Sequence, residues 1–163
     1  MVKNQIIRID NDQKMQSIIC KAINEGINVV EIDGIKIQSE EDYLVAIETG
    51  FNLPYELQNN TPTRKNLYTF ALRYMGFVRW DGWVGISGHM LVIYNYAEFM
   101  KGDVKLKKDI INSFAENILP FWEQGGELCA NDGDICSGDD AVIEYVKVRA
   151  RERAKPFNVY LVD

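Results

Sequence analysis

The stretch Ile32 to Pro54, IDGIKIQSEEDYLVAIETGFNLP, joins the end of an apolar strand to a well-signalled helix within a few residues. That coupling leaves few architectures open to the chain. Asp33-Gly34 reads as a tight turn, and Ser39 with Asp42 three residues on fits the acidic version of the capping-box pattern. Tyr43, Leu44, Ile47 and Phe51 then share one helical face, and Pro54 closes the unit. The strand feeding it, Ile27 to Ile32, is an apolar run with a single charge, the pattern of a strand covered on both faces.

The same alternation recurs along the chain. Gln5 to Ile9 reads as a short strand stopped by Asp10-Asn11-Asp12. Gln13 to Asn24 reads as a helix with Met15, Ile18, Ile19, Ala22 and Ile23 on one face and Gly26 as its left-handed stop. Leu57 to Lys65 is expected as a polar loop, Asn66 to Met75 as a helix, and His89 to Tyr94 as a second buried strand. Ala97 to Met100 is a short turn or helix. Lys105 to Trp122 carries Leu106, Ile110, Phe114 and Ile118 at near-helical spacing, with Pro120 expected to kink or end it. Ala141 to Arg149 alternates as a half-solvated strand, and Phe157 to Val162 is a closing strand. Strands separated by helical segments predict an α/β fold with a small, mainly parallel sheet flanked by helices, all in one domain of 163 residues.

The composition, 47% hydrophobic and 26% charged, argues for a folded chain rather than a disordered one. A formal net charge of −6 argues against direct contact with a phosphate backbone and would steer the chain toward a basic partner. No apolar run is long enough for a signal peptide or a membrane span, so a cytoplasmic location is expected. Cys20, Cys129 and Cys136 do not form a secreted disulfide framework, and Cys20 is expected to be a small buried apolar side chain. Six residues intervene between Cys129 and Cys136 and there is no second pair, which is not zinc spacing. Asp132, Asp134, Asp139 and Asp140 lack the order of a calcium loop, so neither metal nor cofactor is expected. His89, the one histidine, reads as structural. Without a nucleophile elbow, a Walker loop or a GxGxxG, no catalytic residue is assigned.

Aromatics are dense between Tyr55 and Trp83. Trp80 and Trp83 flank Asp81-Gly82 in a glycine-rich connection, the composition of an interface hot spot as well as of a core.

Taken in order, these elements resemble the barstar family of intracellular ribonuclease inhibitors. The resemblance rests on Ile32-Asp33-Gly34 with Ser39, on Leu53-Pro54, on Asn66-Leu67 at the start of a second helix, and on Phe77 to Trp80. It continues through Leu91-Val92-Ile93, the aromatics Tyr94, Tyr96 and Phe99, the helix from Lys107, and the Pro156-Phe157-x-Val159-x-Leu161 strand. It implies a three-layer sandwich in which residues 1–26 are an added strand and helix and residues 125–155 an insertion. The family's inhibitory aspartates after the Asn-Leu pair are replaced here by Tyr68 and Leu72, with Arg73 next. The resemblance therefore points to another partner-binding set: Tyr55, Glu56, Asn66, Tyr68, Trp80, Asp81 and Glu116. The implied function is that of an inhibitor or immunity protein, a monomer when free, that blocks a cognate toxin of the basic nuclease type. The alternative is a protein-interaction or regulatory module on the same fold with a non-nuclease partner. A third reading, an enzyme built on the acidic Gly125 to Asp140 loop, would require a metal.

Overall fold

The computed structural model describes residues 2–59, 61–74, 85–125 and 154–163, with the side chains of Glu56, Phe70 and Tyr74 outside that description. Four strands, β1 (Ile6–Ile9), β2 (Ile27–Asp33), β3 (Gly88–Tyr94) and β4 (Phe157–Val162), form one sheet in the order β1-β4-β3-β2. Every pairing is parallel, with Ile6 opposite Val159, Leu91 opposite Val159, and Ile32 opposite Ile93. The α/β class and the parallel sheet expected from the apolar runs are therefore found. The N-terminal segment is more than an appendage, because β1 pairs with β4 and forms one edge of the sheet.

Alternation along the strands sorts the core into two layers. Val30, Ile32, Leu91, Ile93, Phe157, Val159 and Leu161 face a large cluster completed by helices α2 (Glu40–Gly50), α5 (Thr69–Tyr74), α6 (Val104–Ser113) and α7 (Leu119–Glu123). Helix α4 (Thr61–Lys65) buries Thr63 but adds no apolar side chain to that cluster. Met90, Val92, Ile9 and Val162 face the other way, onto Met15, Ile19 and Ala22 of α1 (Asp12–Asn24). Helices thus flank both sheet faces. Gly26 takes φ +79°, the left-handed stop expected there.

The Ile32–Pro54 unit folds as its residues dictate. The Asp33 side chain accepts the Ile35 N–H and opens a single 3₁₀ turn, Gly34–Lys36. Ser39 Oγ accepts from Asp42 N, and Asp42 Oδ2 accepts from Ser39 N, a reciprocal capping box at the start of α2. Tyr43, Leu44, Ile47 and Phe51 are all buried. Gly34 is required by space: a Cβ there would lie 2.5 Å from the Asn95 carbonyl oxygen and 2.7 Å from that of Tyr94. Both atoms are backbone and have little room to yield. Gly34→Ala is expected to lower stability by about 1–3 kcal/mol, read as a fall in the urea midpoint at unchanged slope; an unchanged midpoint would refute it.

Several local expectations are corrected. Leu57 to Lys65 is not a loop: α3 (Tyr55–Gln58) and α4 occupy it, because Leu57 packs against the core and Thr63 is buried. The following helix begins at Thr69 rather than Asn66, after two left-handed residues. Cys20 is exposed, since the buried stripe of α1 runs through Met15, Ile19 and Ala22, and Ile23 is exposed beside it. The long helix does not end at Pro120. A π-helical turn, Phe114–Ile118, separates α6 from α7. Widening the helix there moves the Glu116 carbonyl clear of the proline ring, which would collide with it in an α-helix. The Ala141–Arg149 strand lies outside the described residues.

His89 lies in the interior. It is 2% exposed and packs against Trp122, Phe157 and Phe51, with ring centroids 5.1, 5.3 and 5.8 Å away. Asn28, opposite it in the register, places Nδ2 3.2 Å from Nδ1. Burial, and then the charge of Lys155, push its pKa down to about 3. The folded state therefore keeps it neutral, while the unfolded chain protonates it below about 6.5. Stability is complete above that value and falls as the pH drops toward 3, with a slope of up to about 1.4 kcal/mol per pH unit. His89→Phe is expected to remove that slope from the pH profile of the urea midpoint.

Candidate partner-binding surface

Parallel strands bring their carboxyl ends to one edge of a sheet, and in open α/β folds that edge is where binding surfaces form. Here each strand hands an acid or amide to it: Asp10 after β1, Asp33 closing β2, Asn95 after β3, and Asp163 after β4. With Asn11, Asp12 and Gln13 at the start of α1, and with Tyr94 and Val162, they line an open hollow of about 580 Å³. None of these lining residues is a cation. The Asn95 amide donates to Asp33 Oδ1 at 2.9 Å, and this bond, followed by the Ile35 N–H, holds the Asp33 carboxyl below the usual range. Asp163 Oδ1 accepts the Ala97 N–H at 2.8 Å. Tyr94 donates to Glu31 Oε1 at 2.7 Å and accepts from Gln16, and burial followed by this glutamate raises its pKa to about 12. Arg8 and Lys107 are drawn over the Tyr96 ring, 5.3 and 4.1 Å from its centroid.

Among the described residues, no group of three or more His, Cys, Asp or Glu side chains is placed to hold a metal ion. The carboxylates are spread over a surface rather than converging on one point. No described helix is long and apolar enough to cross a membrane.

A second feature lies along α2. Glu41, Leu44 and Glu48 are spaced three and four residues apart and so form one stripe of the helix. Arg64 of α4 reaches across it, its Nη2 3.0 Å from Glu41 Oε1 and its Nε 2.7 Å from Glu48 Oε1. Nε also points at the Tyr68 hydroxyl, 3.1 Å away. Glu41 and then Glu48 raise the guanidinium pKa, so it stays charged. Beside this clamp is a hollow of about 400 Å³ lined by Ser39, Glu40, Glu41, Leu44, Thr61, Arg64 and Lys65. The chain then turns through Leu67 and Tyr68 at φ +52° and +58°. Two successive bulky residues in the left-handed region cost about 1–2 kcal/mol each. Burying both side chains offsets that cost, with Leu67 8% exposed and Tyr68 fully enclosed.

Comparison with protein-family models, curated proteins and solved structures found no match to this chain.

The residues expected at the partner surface are distributed unevenly. Tyr55 is 73% exposed, and Asn66 and Glu116 are also exposed, the last on the π-helical turn that packs against α5. Tyr68 is not on the surface: the left-handed turn drives its ring into the core, where it can only orient Arg64. Trp80, Asp81 and the Glu56 side chain lie outside the described residues. In the sequence, Asp10, Asp12 and Asp33 read only as turn residues. The signal that locates them is simple: an acid or amide at the end of each apolar run, once the runs are known to be parallel.

Proposed function

We propose that the chain is a barstar-like inhibitor or immunity protein, which binds a cognate basic toxin and blocks its active site, with a ribonuclease as the leading candidate. The observation that carries this reading is the hollow at the carboxyl edge of the sheet, where Asp10, Asp12, Asp33 and Asp163 gather without a cation among the lining residues. A nuclease cleft is lined with cations that bind a phosphate backbone, and a rigid array of carboxylates can substitute for that polyanion.

Affinity capture from the source cells with the tagged chain, followed by mass spectrometry, tests the proposal. A basic protein bound one to one is the expected result, with loss of that protein's nuclease activity on mixing. Recovery of acidic or neutral partners alone would count against it. The second reading, a regulatory or interaction module with a non-nuclease partner, draws on Tyr68 and Leu72. Both are fully buried at the positions where the resemblance places inhibitory aspartates. A captured partner that lacks nuclease activity would select that reading.

A further inference from the structure

Arg64 occupies the α2 stripe in the way a partner's arginine would. Its guanidinium spans Glu41 and Glu48, which lie on either side of the buried Leu44, and Glu40 borders the same hollow. Glu48 is largely enclosed, its side chain 11% exposed, so this is a formed cationic seat rather than a loose surface pair. What holds the guanidinium there is a short strap, Thr61 to Lys65, followed at once by the Leu67–Tyr68 turn with both residues in the left-handed region. Strained backbone of this kind persists only while its surroundings enforce it.

We propose that α4 is an autoinhibitory strap: Arg64 fills an arginine seat on α2, and a cationic partner claims the seat by displacing the strap. This rests on the reading that the chain docks onto a basic protein, and it names the chemistry of one contact, a guanidinium between Glu41 and Glu48. Displacement frees α4 from α2, while the turn through Leu67 and Tyr68 stays anchored by their burial. The pairing that Arg64 loses on opening is replaced by the partner's.

The test uses the intact protein and a hexa-arginine peptide as the probe. Arg64→Ala is expected to bind the peptide at least tenfold more tightly than the parent by calorimetry, and Glu48→Gln in the same background should abolish the gain. In the absence of peptide, Arg64→Ala should also speed amide hydrogen exchange across Thr61–Lys65, the strap that Arg64 ties to α2. Equal affinity of parent and variant, or a gain that survives Glu48→Gln, would overturn the seat. Exchange across Thr61–Lys65 that matches the parent's would overturn the strap. If Arg64→Ala loses its near-ultraviolet dichroism, Arg64→Lys takes its place, since it keeps the charge but lacks the fork. A threefold gain is then expected, and no gain refutes the proposal. Because these readings need no cognate partner, they can fail while affinity capture succeeds, and the reverse.

Discussion

Replacing Phe157 by alanine is expected to cost about 3–5 kcal/mol of folding stability, a large share of the roughly 5–15 kcal/mol available to a domain of this kind. Phe157 is fully buried at the start of β4, and its ring lies against four others from separate elements. Its centroid lies 5.6 Å from Phe51 after α2, 5.3 Å from His89 on β3, 5.9 Å from Phe114 on the π-helical turn, and 6.2 Å from Trp122 on α7. Its backbone N–H is held by Asn4 Oδ1 at 2.9 Å, which ties β4 to the N-terminal segment. Truncation leaves a cavity walled by rings from separate elements, and such walls cannot collapse together without moving the helices that carry them. Chemical denaturation should show a fall in midpoint with little change in slope. A loss below about 1 kcal/mol would mean that the ring cluster does not organise the larger core.

The second large effect concerns charge. The triple variant Asp10→Asn, Asp12→Asn, Asp33→Asn is expected to slow association with the captured partner at least tenfold at low ionic strength and to flatten the dependence of that rate on salt. Asparagine keeps the shape and an acceptor oxygen at each position, so the Ile35 N–H retains a partner and the fold is preserved. Asp163 is left alone because its carboxylate receives the Ala97 N–H. Stopped-flow measurement across a salt series reads the result. An unchanged rate with the parent's salt slope would remove the hollow from the interface and direct attention to the α2 stripe. Dissociation should change less, because long-range attraction acts mainly on encounter.

Legibility in the sequence followed the range of the interactions involved. The Ser39–Asp42 box, the Gly26 stop, the buried stripe of α2 and the strand runs of β2, β3 and β4 are each set by residues within about eight positions of one another, and each was readable. Cys20 and Ile23 were misplaced for a related reason. A helical stripe wide enough to include them suits a broad covering layer, whereas α1 buries the narrower set Met15, Ile19 and Ala22. The candidate site was less legible still. Tyr68 reads as an exposed aromatic on a helix, and only the left-handed turn, which no local propensity favours for leucine or tyrosine, puts it inside.

The sequence alone determined the class of the fold: apolar strand runs separated by capped amphipathic helices have few ways to bury their faces other than a parallel sheet between helices. It also determined the acidic balance that governs which partners can approach. The tertiary structure alone decided where that acidity acts. Strand order and parallel direction bring Asp10, Asp33 and Asp163, far apart in the chain, to one edge, and packing of α4 on α2 seats Arg64 between two glutamates. Both arrangements depend on contacts between distant segments, whose energies appear only when the chain has closed on itself and so leave no periodic trace along it.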